Sequence, residues 1–344
     1  MLQDKIKGSL IGGAVGDALG YPVEFMRDSS IFKKYGERGI TEYVLEDGVA
    51  VVSDDTQMTM FTAEALICAN KKYKALTVDN CSDEIYASYL DWLDTQKGDF
   101  NIASKSQRSA LLMNKRMYAW RAPGHTCLSA LESGKCGTLE YRINNSKGCG
   151  GVMRIAPVPL MLYGMRGTDI NTADLLSARA AAITHGHLLG FVPAAFISHM
   201  IWELLDGKDM RSATASARAA MGVLFGKDDQ LDYFDSLIDK AVKLSEDTDI
   251  DELEAIRSLG AGFVAEETAA ISVYCALRFS DSFENAVVAS VNHDCDSDST
   301  GAVTGNLMGA YLGYSKIPKK FIVNLEFADE LTDMAKRLGK RGFL

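Results

Sequence analysis

Two glycine stripes constrain this chain more than any other feature. Gly8, Gly12, Gly16 and Gly20 recur every four residues near its start, and Gly301, Gly305, Gly309 and Gly313 repeat the spacing near its end. In a helix the i, i+4 row runs along one face. Each glycine inside a helix costs about 0.5–1 kcal/mol relative to alanine, so some six interior ones give up roughly 3–6 kcal/mol of helix propensity. A face stripped of side chains lets another backbone approach closely. The stripes therefore predict two tight helix contacts. Either the two helices pack on each other and bring the chain ends together, or each meets a separate neighbour.

The rest of the 344-residue chain reads as helical too. Met58, Phe61 and Ala65 fall on one helix face, as do Ile85, Tyr89 and Leu93. Glu42 to Val52 is the one modest strand candidate and reads equally well as loop. Acidic stretches near residues 225–233 and 244–254 read as solvated helix faces and connections. Six prolines and no low-complexity tract leave no obvious linker, so residues 1–344 are read as a single domain.

Charge excludes one class of function. A net charge of −10 argues against broad binding of nucleic-acid phosphates. The same balance suits a site rich in carboxylates that attracts divalent cations. Seven scattered cysteines form no C-x-x-C pair, so free thiols in a reducing cytoplasm are expected. The stretch Ser9 to Val15 superficially resembles a signal peptide, but its glycines and Asp17 speak against that reading. The apolar run Ile183 to Leu205 carries His185, His187, Pro193, His199 and Glu203, which argues against a membrane span.

Four motifs carry chemistry. Ser53-Asp54-Asp55-Thr56 precedes one helical run, and Asp294-Cys295-Asp296-Ser297-Asp298-Ser299-Thr300 precedes the second glycine stripe. Alone, either cluster is explained by helix capping and the helix dipole. Capping needs one oxygen, however, and each cluster offers three or more. Converging carboxylates repel unless a cation neutralises them, and hard oxygens without a nearby Cys/His set select Mg²⁺ or Mn²⁺. The third motif is the loop Gly148-Cys149-Gly150-Gly151-Val152-Met153-Arg154, which reads as a structural turn or as a phosphate cradle to which Arg154 adds charge. The fourth is Thr184-His185-Gly186-His187; its His-x-His spacing hints at metal, but no third soft ligand is near.

In order along the chain, these motifs resemble the ADP-ribosylglycohydrolase family. The resemblance runs through Gly16-Asp17-Ala18-Leu19-Gly20 with Glu24, Ser53-Asp54-Asp55-Thr56, Arg121-Ala122-Pro123-Gly124, the Gly148–Arg154 loop and Thr184-His185. It ends with Ala265-Glu266-Glu267 and Asp296-Ser297-Asp298-Ser299-Thr300-Gly301. It implies an all-α fold, a compact orthogonal helical bundle, and a pair of Mg²⁺ ions, with Mn²⁺ in some members. Ser53, Asp54, Asp55, Asp296, Asp298 and Ser299 are then the expected metal ligands. Gly148, Cys149, Gly150, Gly151, Met153 and His185 are expected to bind ADP-ribose. Glu24 matches a family glutamate above the metals. Asp55 or Asp296 is the expected base, with Glu24 protonating the leaving group. Asp17 reads equally as a capping or supporting residue or as a catalytic one. Many relatives have glycine where this chain has Cys295.

The expected reaction is hydrolysis of the bond between ADP-ribose and an acceptor, with an arginine-type linkage on protein favoured. Alternatives are a small ADP-ribosyl metabolite, an ADP-ribosylated nucleic acid, or an immunity protein that counters an ADP-ribosyltransferase toxin. No membrane partner is expected.

Overall fold

The computed structural model describes residues 1–100 and 109–340. Among the described residues the chain forms fifteen α-helices and no strand. They are α1 (Leu2–Gly20), α2 (Asp28–Tyr35), α3 (Asp54–Lys72), α4 (Val78–Lys97), α5 (His125–Glu132), α6 (Pro157–Leu162), α7 (Ile170–Ala182) and α8 (Leu188–Asp206). Then come α9 (Met210–Phe225), α10 (Asp229–Glu246), α11 (Glu252–Leu259), α12 (Ala265–Arg278), α13 (Phe283–Val291), α14 (Ser297–Leu312) and α15 (Ala328–Leu338). The strand candidate Glu42–Val52 is loop, tied down by isolated bridges of Glu46 to Val49 and of Ala50 to Leu325.

The glycine stripes meet each other. A Cβ placed on Gly8, Gly12 or Gly16 of α1 would run into the backbone of Gly309, Gly305 or Gly301 of α14 respectively. The pairing order makes the two helices antiparallel, with their backbones in contact. From Gly8 onwards every residue of α1 is buried, so this part of the helix has no solvent face. The propensity sacrificed by the glycines is offset by close backbone packing at the centre of the core.

Helices α3, α8, α12, α13 and α15 pack on this pair, and α4 and α7 pack on α3 and α8 in turn. Met58, Phe61, Ala65, Ile85, Tyr89 and Leu93 are all buried, as their spacing predicts. Helix α8 is long and apolar enough to cross a membrane, yet 94% of its apolar window is buried inside the protein. Its His199 explains part of that: Nδ1 lies 2.7 Å from Asp174 on α7 and Nε2 lies 3.1 Å from Ser216 on α9. That polar link joins three core helices.

Candidate active site

The α1–α14 contact positions the chemistry as well as the core. Gly20 ends α1 where α14 begins, and a Cβ there would lie 2.6 Å from the amide nitrogen of Asp298. Closing the stripes therefore brings Asp17 and Glu24, from the end of α1, beside Asp296 and Asp298, from the start of α14.

The third acidic segment is held by the first. Asp17, fully buried, accepts from the amides of Ser53 at 2.9 Å and Thr56 at 3.0 Å, and from the Thr56 hydroxyl. It thereby caps α3 from outside that helix. Ser53 adds the local cap, its Oγ accepting from Asp55 N at 3.2 Å. Asp54 is held between Arg121, whose carbonyl accepts from Asp54 N at 3.0 Å, and Gly124, whose amide donates to Asp54 Oδ2 at 3.1 Å. The Arg121–Gly124 motif is thus a cradle for one carboxylate.

A cleft of about 270 Å³ opens between these segments. Glu24, Asp54, Asp55, Asp296, Asp298 and Ser299 line it, with Gly148, Cys149, Gly150, Met153 and His185 opposite. Ser53 and Gly151 do not line it. Ser53 is engaged as the α3 cap, and Gly151 sits behind the wall, where a Cβ would lie 2.7 Å from the Gly190 carbonyl. Gly150 lies against Cys127 and His185, and a Cβ there would come within 2.8 Å of each, so only glycine fits. Ala122 and Gly124 of the Arg121–Gly124 motif line the cleft too, as do Phe25, His125, Thr126, Cys127 and Phe263, which no sequence motif singled out. Phe25 and Phe263 stack at the rim with ring centroids 5.7 Å apart. A larger cavity of about 380 Å³ is lined by Glu37, Asp251 and Glu252 as well, but these acids are exposed and share it with Arg38, so burial of the carboxylates, not size, marks the site.

The electrostatics are those of crowded acids. Burial pushes Glu24 up to about 8, and Asp296, Asp54 and Asp17 push it further in the same direction. Burial also raises Asp54 to about 8, with Asp17 and Asp296 adding to it against the Gly124 hydrogen bond. Burial holds Asp55 and Asp298 well above the usual carboxylate range, with Asp17, Asp54 and Asp296 adding to it at Asp55, and Asp55 and Asp296 at Asp298. One oxygen of Asp55 is buried with no hydrogen-bond partner.

His185 carries no charge. Burial, with the nearby Arg154 charge, lowers it to about 3. Arg154 donates to Thr184 Oγ1 at 2.7 Å, and Thr184 Oγ1 lies 2.8 Å from His185 Nδ1. The Thr184 hydroxyl proton is then directed at Nδ1, which assigns the ring proton to Nε2, on the side of Gly148 and Gly150. Arg154 itself corrects the sequence reading. It does not reach the phosphate loop's open side: it is wholly buried, bonded to Thr184 and the Ala180 carbonyl, with its guanidinium 4.3 Å over the Tyr89 ring.

The donor set fits a hard divalent cation: several buried carboxylates, one with an orphaned oxygen, face a common space. As placed, no three His, Cys, Asp or Glu side chains among the described residues are drawn close enough to form a finished cage.

Comparison with known proteins agrees with this architecture. The sequence profile of the ADP-ribosylglycohydrolase family matches residues 1–343. The chain is 24% identical to the ADP-ribosyl-[dinitrogen reductase] glycohydrolase of Rhodospirillum rubrum, over 96% of this chain and 92% of that one. It is 25% identical to the ADP-ribosylarginine hydrolase Tri1 of Serratia proteamaculans, over 97% and 79% of the two chains. It is 22% identical to the ADP-ribosylhydrolase ARH3 of Danio rerio, over 98% and 90%. Among solved structures, an ADP-ribosylglycohydrolase-related protein complex shares the fold with a TM-score of 0.57 and 21% identity, over 98% of each chain. The chain belongs to the ADP-ribosylglycohydrolase family, hydrolases that reverse ADP-ribosylation.

Proposed function

We propose that this enzyme is a Mg²⁺-dependent hydrolase that removes ADP-ribose from arginine side chains of modified proteins. The observation that carries the reading is the meeting of two acidic helix N-termini, those of α3 and α14, across one cleft from a glycine loop and a neutral histidine. The arginine linkage is favoured by the name of one relative, an ADP-ribosylarginine hydrolase, and a protein acceptor by that of another, which acts on ADP-ribosyl-dinitrogen reductase.

Asp54, Asp55, Asp296 and Asp298 would hold the cations, with the Ser299 hydroxyl as a neutral donor; Ser53, behind the cleft wall, supports them as the α3 cap. Bound there, two divalent ions supply Lewis acidity, orient the ribose diol and lower the pKa of a water molecule. Cleavage at the anomeric carbon passes through an oxocarbenium-like state, which the surrounding carboxylates favour electrostatically. Glu24, which burial raises above the usual carboxylate range, is placed at the cleft to give a proton to the departing nitrogen. Asp55 or Asp296 accepts the proton of the attacking water. The Nε2–H of His185 donates toward the diphosphate lying along Gly148 and Gly150. Phe25 and Phe263 form the apolar rim over which the substrate enters.

The test is release of free ADP-ribose from arginine-, serine- and nucleic-acid-linked substrates with Mg²⁺, Mn²⁺ or EDTA. Native protein is compared with Asp54→Ala and Asp296→Ala. Metal-dependent release from the arginine linkage, lost in both variants, is expected. Preference for another linkage would replace the acceptor class, and full activity in EDTA would overturn the metal assignment.

A further inference from the structure

Two loops 147 residues apart meet through one atom pair: Cys149 Sγ lies 2.9 Å from Asp296 Oδ2. Both loops hang from the same short segment. Cys149 N donates to the Phe263 carbonyl at 3.1 Å, Gly148 bridges Val264, and Asp296 N donates to the Ala261 carbonyl at 3.2 Å. Ala261 is itself fixed, its amide donating to Glu267 Oε2 at 2.9 Å. Segment 261–264 therefore sets the spacing between thiol and carboxylate.

The other oxygen of Asp296 caps α14 through a longer contact, with Ser299 N at 3.4 Å. The thiol is the nearer partner of the carboxylate, and Ser299 also bonds that thiol. A second feature shows that this wall faces a ligand. Asp55, only 3% exposed, lines the same cleft with one oxygen unpartnered.

We propose that Cys149 is a positioning residue whose thiol donates to Asp296 Oδ2 and fixes the face that this carboxylate presents to the divalent cation. The proposal rests on the reading of Asp296 as a metal-binding carboxylate. A thiol suits the task because S–H is a weak donor. It orients the oxygen while leaving most of its charge for the cation, where a lysine or arginine would neutralise it. Hydrogen-bond partners of ligating side chains typically tune metal affinity or activity by about 10–100-fold.

The experiment is a Mn²⁺ titration, followed by electron paramagnetic resonance, on native protein, Cys149→Ala, Cys149→Ser, Asp296→Asn and the Cys149→Ala/Asp296→Asn double variant. Steady-state kinetics accompany it. Cys149→Ala is expected to weaken Mn²⁺ binding about tenfold or more and to lower kcat more than it raises KM. Cys149→Ser, which keeps a donor, restores most of the loss. In the Asp296→Asn background the alanine change adds nothing further, because its effect passes through that carboxylate. Native affinity in Cys149→Ala, equal losses in the alanine and serine variants, or full additivity with Asp296→Asn overturns the proposal. If Cys149→Ala does not fold, Cys149→Ser decides: near-native affinity is expected, and a loss as large as that of Asp296→Asn overturns it. Native binding and turnover in Asp296→Asn would instead overturn the assignment of Asp296 itself.

Discussion

Gly16 and Gly301 lie so close that a Cβ on Gly301 would sit 2.5 Å from the Gly16 carbonyl oxygen. The obstacle is backbone on both sides, so no side chain can swing aside. The contact also lies next to the catalytic end of the pair, between Asp17 and the Asp296–Ser299 turn.

Alanine at Gly301 would gain about 0.5–1 kcal/mol of helix propensity. It would also force two helices apart, and overpacking of this kind costs about 1–3 kcal/mol, occasionally more. Gly301→Ala is therefore expected to lower stability and activity together. Gly222 in α9 is the control, because a Cβ there meets nothing within 4 Å. Gly222→Ala is expected to add about 0.5–1 kcal/mol with turnover unchanged. Urea unfolding of the two variants decides; equal responses would mean that the stripe is not a steric contact.

Much of this was legible in the sequence, for a physical reason. Glycine at i, i+4 is so unfavourable in a helix that close packing is its natural compensation, and acids ahead of a helix mark where its N-terminus points. The partner of each stripe was not legible, since nothing local distinguishes one bare helix face from another. Arg154 shows the opposite failure. Beside a glycine loop it reads as a phosphate ligand, while the structure buries it against Tyr89 and Thr184. Phe263 left no signal, because a rim aromatic in a loop follows no period. Cys295 is legible only in hindsight: its φ of 80° is a conformation that favours glycine, the residue the family resemblance leads one to expect there.

Stability without metal is expected to fall as pH rises. Folded Asp54 and Glu24 titrate near 8, against ordinary values of 3.8 and 4.5, so between those limits the folded state holds protons that the unfolded chain has released. Stability then declines with pH across that window. In EDTA the melting temperature should be higher near about pH 5 than near about pH 8, and Mg²⁺ should restore it most at the upper end. Asp54→Asn should flatten the metal-free slope and weaken the Mg²⁺ response. A slope of opposite sign that Asp54→Asn leaves untouched would show that these carboxylates do not repel as placed.

Asp17 touches three donors at the start of α3 and supports Asp54 and Asp55 through them. In Asp17→Asn one oxygen can still accept, but the new NH₂ faces a donor. The first turn of α3 should shift, and activity should fall about 10–100-fold, as is usual for partners that orient metal-binding groups. Metal-free stability should change less, because losing the hydrogen bonds is offset by removing a buried charge whose pKa burial raises to about 6. Assay and thermal melt together separate this from simple unfolding. Native kinetics would reduce Asp17 to a helix cap.

Arg154→Lys tests the link between the buried cation and His185. A lysine carries the charge but cannot bond Thr184 and Ala180 at once while lying flat over Tyr89. Losing charge-assisted hydrogen bonds in a closed site should cost on the order of 3 kcal/mol. Thr184 Oγ1 also loses the donor that directs its own proton to His185 Nδ1, so the histidine tautomer is no longer fixed. Nitrogen-15 spectra of the imidazole should show Nε2–H in the native protein and a mixture of tautomers in the variant, with KM for ADP-ribosylated substrate raised. An unchanged spectrum alongside lowered stability would confine Arg154 to the core.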